Sequence, residues 1–192
     1  MTRARQIVFV IITTAISLIS IVGIYNASKM IAVQESMSND QDFFMVDAVY
    51  TKFDSIGEVS SKVYAKKIIH TVEKDTFYFE APTIVINSKE GSAKGKQPWR
   101  INSRKAKSER GEEKISLWDG VTISKKGDEK HPNLHVSMNS MQYYPQLKFA
   151  NTNDVVEILE NNNTIAAVGA AIDFKTAIIK LLSKVRAVYR LT

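Results

Sequence analysis

The spacing of hydrophobic positions changes once along this chain. From Gln6 to Ser28 there is no charged residue, and Ile7 to Ile12, Ile16, Leu18, Ile19, Ile21, Val22 and Ile24 make the run nearly continuously apolar. As a helix it would extend roughly 35 Å, against about 30 Å for a hydrocarbon core. Its β-branched residues do not oppose a helix there, because lipid leaves the backbone no partner but itself. The pattern predicts a single N-terminal transmembrane helix over 6–28. Arg3 and Arg5 precede it, so 1–5 are expected in the cytoplasm and everything after Lys29 on the far side. A cleaved signal peptide would have a shorter apolar run and a small-x-small site. Tyr25-Asn26 interrupts any such site, which favours an uncleaved anchor. Thr13, Ser17 and Ser20 share one face of this helix. Their hydroxyls either bond their own helix's carbonyls or pack against other transmembrane helices.

Residues 29–42 are polar and without a clear period, as in a tether. Over 43–192 the helical spacing is gone. Short alternating runs, separated by charged or Asn/Gly-containing turns, predict an all-β domain of antiparallel strands. A unit of about 36 residues recurs roughly four times, each copy reading strand, turn, strand, bend, strand. Within a strand, residues two apart share a face. The apolar columns are Val63, Phe77 and Phe79 in the first copy, then Ile101, Ile115, Leu117 and Val121. They continue as Met138, Met141 and Phe149, then Ile172, Phe174, Ile179 and Leu181. Lys66, Lys67, Arg100, Arg104, Lys114, Lys175, Lys180 and Arg186 occupy the opposite face. One apolar and one wet face describe a sheet rolled around an interior, an open β-jelly roll. Val185, Ala187 and Tyr189 lie on a last alternating strand. That strand is expected either as an open edge that a partner extends by strand addition or as one buried in the roll's own sheet.

Composition narrows the chemistry. The chain has 192 residues and no cysteine, which excludes disulfides, thiolate zinc sites and thiol catalysis. Of the net charge of +6, Arg3, Arg5 and Lys29 supply three before the first acidic residue, Glu35. The remaining +3 (6 − 3) does not call for a nucleic-acid partner. His131 and His135 have the spacing of a metal-binding helix, but Pro132 and the strand pattern after it oppose a helix. Gly91 to Lys96 falls one residue short of a phosphate loop, and Gln97 replaces the magnesium-holding hydroxyl. No paired carboxylates occupy an apolar position, as acid–base work would prefer. The chain therefore reads as a non-enzyme without metal or cofactor.

Two stretches are more specific. Ala167-Val-Gly169-Ala-Ala-Ile172-Asp173 leads through Thr176 to Ile179-Lys-Leu-Leu-Ser-Lys-Val185-Arg-Ala187. Trp99-Arg-Ile101-Asn-Ser103 and Ile115-Ser-Leu-Trp-Asp-Gly120-Val121 form the central repeat. With the basic start and single anchor, these resemble the LptC family of lipopolysaccharide export along the whole chain. Ala167 stands where the family has the first Gly of a Gly-x-Gly turn, and Ala187 where it has Gly after Val-Arg. The resemblance implies an OstA/LptA-like roll, held by a single-pass anchor at the inner membrane with its main domain in the periplasm. It also implies lipopolysaccharide as cargo, received from the LptB–LptF–LptG transporter through the anchor and the N-terminal edge. LptA is then implied at the C-terminal edge, at Val185, Ala187 and Tyr189. The competing class is a membrane-anchored periplasmic scaffold of a secretion or division complex that binds protein only.

Overall fold

A computed structural model describes residues 41–72, 75–87, 97–109, 113–127, 132–161 and 163–189. The anchor expected over 6–28, with Thr13, Ser17 and Ser20, lies outside these residues. Among the described residues no helix is long and apolar enough to cross a membrane. The chain divides into Met1–Gln41 and a compact unit Asp42–Thr192.

The unit is all-β. Its strands are β1 (Gln41–Phe53), β2 (Val59–Thr71), β3 (Thr76–Glu80), β4 (Thr83–Ile86), β5 (Trp99–Asn102) and β6 (Lys105–Glu109). They continue as β7 (Lys114–Lys125), β8 (Leu134–Tyr144), β9 (Phe149–Glu160), β10 (Asn163–Asp173) and β11 (Ile178–Val188). All registered neighbours are antiparallel, and their order runs β11-β10-β9-β8-β7-β5-β4-β2-β3-β6, with β6 returning to β7 and β1 pairing with β2.

That return pairing has a simple cause: the long strands are bent, and each crosses between two layers. In β2, Ser61–Tyr64 pair with β4 while Lys67–Thr71 pair with β3. In β7, Lys114–Trp118 pair with β6 while Thr122–Lys125 pair with β5. β3 and β4 are two arms of one path broken at Ala81-Pro82, and β5 and β6 are two arms broken at Ser103-Arg104. Stacked bent strands of this kind form an open, V-shaped roll. Each sequence repeat is one hairpin of it.

Positive φ marks the vertex. Asp47, Ala81, Asp119, Gly120, Gly169 and Lys184 all have it, next to register shifts in β7, β10 and β11. Such bulges bend a strand while leaving one residue out of the ladder. Side chains satisfy the interrupted backbone. Asp154 Oδ2 accepts from the Ser140 N–H and hydroxyl, both at 2.7 Å, and Thr152 Oγ1 donates to the Ser140 carbonyl at 2.7 Å. Arg104 Nε donates to the Asp119 carbonyl at 3.1 Å, and Ser183 Oγ to that of Val168 at 3.0 Å. Inside the vertex the layers converge, and small Ala65, Ala106, Ala167 and Ala170 are buried there.

These bends also explain the two glycine departures. Within the Gly-x-Gly segment the left-handed position is Gly169, at φ +77, and not Ala167; in β11 it is Lys184, and not Ala187. Neither alanine needs glycine's freedom. A Cβ on Gly169 would also sit 2.9 Å from Leu182 Cδ1, whereas one on Gly120 meets nothing nearer than Arg104 at 4.0 Å. The left-handed conformation alone costs a Cβ-bearing residue about 1–2 kcal/mol. Gly169→Ala is therefore expected to lower the urea midpoint more than Gly120→Ala does. Equal losses would show that the Leu182 contact carries no weight.

Candidate functional site

The two layers enclose one apolar interior, and it is not uniform. Ile101, Leu117, Val121, Met138, Met141, Ile172 and Phe174 are buried in a closed core with Ile84, Ile123 and Val136. Toward β1 the layers separate around a cavity of about 150 Å³. Val63, Ile68, Phe77, Phe79, Ile84 and Ile115 line it, together with Met45 and Tyr50 of β1 and Tyr143 and Pro145 across the roll. Alternation places these side chains. Phe79 faces Ile68 and Ala106 across the ladders, and both of those are buried. A space of this volume admits roughly a benzene-sized group.

The expected interior residues thus divide. Val63, Phe77, Phe79 and Ile115 meet at the cavity. Ile101, Leu117, Val121, Met138, Met141, Ile172 and Phe174 pack among themselves, while Ile179 and Leu181 cover the same core from β11. Phe149 is a correction. It is the partner of Tyr144 and Asp173, one step out of phase with buried Ala150 and Tyr143, so it lies on the outer face. Alternation counted from Leu147 would turn Phe149 inward. That residue is in a turn, and Lys148, at φ 51, resets the phase before the strand begins.

At the C-terminal side β11 ends the sheet and pairs only with β10 among the described strands. Ala187 is the partner of inward-facing Ile165, so Val185, Ala187 and Tyr189 continue the interior face into solvent. Val185 and Tyr189 are 56% and 70% exposed, which makes this a wet apolar edge and not a buried strand. β1 is its counterpart at the other end, with Phe43, Met45, Val49 and Tyr50 all exposed.

One inward cluster went unread in the sequence. His70 lies on the cavity face of β2, with its side chain only 12% exposed. Its Nδ1 bonds Asp42 of β1 at 2.6 Å and its Nε2 bonds Asp75 at 3.1 Å. Its ring stacks on Phe43 at 5.0 Å and lies 4.4 Å from Phe77. Both ring nitrogens can donate only in the imidazolium. The bonds to Asp75 and then Asp42 accordingly raise its pKa above the usual 6.5. Because the folded value is raised, the clasp on β1 is fully present below about pH 6.5 and weakens as pH rises through the folded value. The His70 NMR titration is expected to have its midpoint above 6.5, and Asp75→Asn should lower it. A midpoint at or below 6.5 in the unaltered chain would contradict this clasp.

Among the described residues, no group of three or more His, Cys, Asp or Glu is placed to hold a metal ion. Outside this cluster, polar side chains such as Asp154 and Arg104 serve the vertex and the outer face. There, Lys107 pairs with Glu109 and Arg104 with Asp119.

Comparison with curated proteins gives no match. Among solved structures the chain is similar to LptH from Pseudomonas aeruginosa, described as the LptA-homologous periplasmic component of the conserved lipopolysaccharide transport device. The TM-score is 0.45 with 9% identity, over 78% of this chain and 94% of that one. The family model described as "Lipopolysaccharide-assembly, LptC-related" matches residues 9–190. That match covers nearly the whole sequence, and the chain belongs to the LptC-related lipopolysaccharide-assembly family.

Proposed function

We propose that this chain is the acceptor of lipopolysaccharide export at the inner membrane, anchored by 6–28 with Asp42–Thr192 in the periplasm. It receives lipid extracted by LptB–LptF–LptG through its anchor and N-terminal edge, and passes it along the groove to LptA at β11. The observation that carries this reading is the apolar cavity between two layers whose outermost strands, β1 and β11, each leave one edge unpaired among the described residues. A scaffold that binds only protein has no need of such a cavity.

The energetics favour acyl chains as cargo. Each methylene moved out of water gains about 0.8 kcal/mol, so a chain of a dozen carbons gains at most roughly 9 kcal/mol. Transfer between neighbouring rolls must then be nearly isoenergetic, or a deep well would stop the flow. The cavity accommodates only the end of such a chain, so loading must part the layers further.

The full-length chain in detergent micelles, incubated with purified lipopolysaccharide, is expected to give a one-to-one complex by native mass spectrometry. No complex, from a chain with intact β-sheet circular dichroism, would favour the scaffold.

A further inference from the structure

The interior is divided in two. Past the cavity, Trp99, Tyr143 and Phe174 fill the space between the layers and are all buried. Trp99 comes from one layer and Tyr143 from the other. Phe174 comes from the turn after β10, and its ring meets both edge-on, at 5.4 Å and 5.7 Å. Asp173 Oδ1 holds this turn by accepting from the N–H groups of Lys175 and Thr176.

Over this aromatic plug a link joins the two arms of the V. Lys148 Nζ, from the turn between β8 and β9, donates to the Asn87 carbonyl just past β4 at 2.8 Å. Asn87 is tied to β2 through its N–H to the Ser60 carbonyl and its Nδ2 to that of Val59. On the other side, the Phe174 N–H donates to the Lys148 carbonyl at 2.9 Å. One chain of bonds therefore runs from β2 through Asn87 and Lys148 to the residue that forms the plug.

An amphiphile with its tails inside the roll and its headgroup outside needs an open slit along which its neck can travel. The Asn87–Lys148 link crosses that slit, and the plug fills the channel beneath it. The Trp99 indole N–H is buried with no acceptor among the described residues.

We propose that the Asn87–Lys148 link and the Trp99–Tyr143–Phe174 plug form a gate within the roll. Closed, it confines an acyl chain to the cavity beside β1. Release of Lys148 from Asn87 lets the Phe174 turn withdraw, and the chain then passes to β11. This gate rests on the lipid-carrier reading above.

The chain has no cysteine, so Asn87→Cys with Lys148→Cys gives a unique pair. The full-length variant can be bridged with a short bis-maleimide, and a control can be capped with N-ethylmaleimide. Each also carries a photo-crosslinking residue at Phe79 or Leu181 and is offered purified lipopolysaccharide. The bridged protein is expected to keep its adduct at position 79 within about twofold and to lose at least about tenfold at 181. Lys148→Ala, which removes the side-chain link and keeps the carbonyl that accepts from Phe174, should speed the appearance of the 181 adduct. An adduct at 181 that bridging does not reduce, or Lys148→Ala without effect on it, overturns the gate. Absence of any adduct at 79 in the capped control overturns the carrier reading and the gate with it.

Discussion

With LptA docked at β11 as proposed, Val188→Pro, or deletion of residues 185–192, is expected to weaken its attachment about a hundredfold while leaving the roll folded. β11 has one edge bonded to β10 and the other open among the described strands. A second roll can continue the sheet at this end by bonding that open edge. Proline removes an N–H and disturbs its neighbours. If about three backbone bonds are lost, each worth a net 1 kcal/mol or so, affinity falls by about a hundredfold. The edge residues make few contacts with the core, so stability should change little. Arg186 and Arg190 alternate with the apolar positions, and Val185, Ala187 and Tyr189 set the register, since a slip of one residue would turn them outward. Binding measured by surface plasmon resonance with immobilised LptA decides the matter. Unchanged affinity in the folded truncation would show that LptA docks elsewhere.

Leu117→Ala should have the opposite signature. Leu117 is 1% exposed and faces Ala106 and Met141 in the closed core. Truncating such a residue costs about 2–5 kcal/mol, because the cavity left behind only partly collapses. Against a total stability of about 5–15 kcal/mol, that is a large share. Phe79→Ala removes a larger side chain, but from the wall of an existing cavity, so its cost should be smaller. Urea unfolding of the two variants separates the closed core from the groove. A larger loss for Phe79 would mean that the cavity wall bears the packing assigned to Leu117.

Period-two alternation makes most of the interior legible in the sequence. It found Ile101, Leu117 and Ile172 because each lies in a regular stretch of strand whose neighbours turn to the other face. It failed at Phe149 because a non-glycine residue at positive φ, Lys148, shifts the phase without leaving a mark in the sequence. The vertex was hidden for the same reason. Gly120 and Gly169 announce a bend, but Asp47, Ala81 and Lys184 adopt the same conformation unannounced. β1 fell outside the repeat because it is apolar on both faces. The His70 clasp joins Asp42, assigned to a polar tether, to residues well along the chain. The Trp99–Tyr143–Phe174 plug assembles from three separate repeats. No local pattern reports such meetings, because the layers create them only when the bent strands stack.

The central claim is that lipopolysaccharide lies against the inner face of the roll. Tyr78 and Phe79 are adjacent in β3; Phe79 lines the cavity, whereas Tyr78 points to the outer face. A photo-crosslinking residue placed at each in turn, in the full chain mixed with LptB–LptF–LptG and ATP, reads the two faces one residue apart. An interior route requires a lipopolysaccharide adduct at 79 and none at 78. Adducts of equal yield at both positions, or at 78 alone, would contradict it.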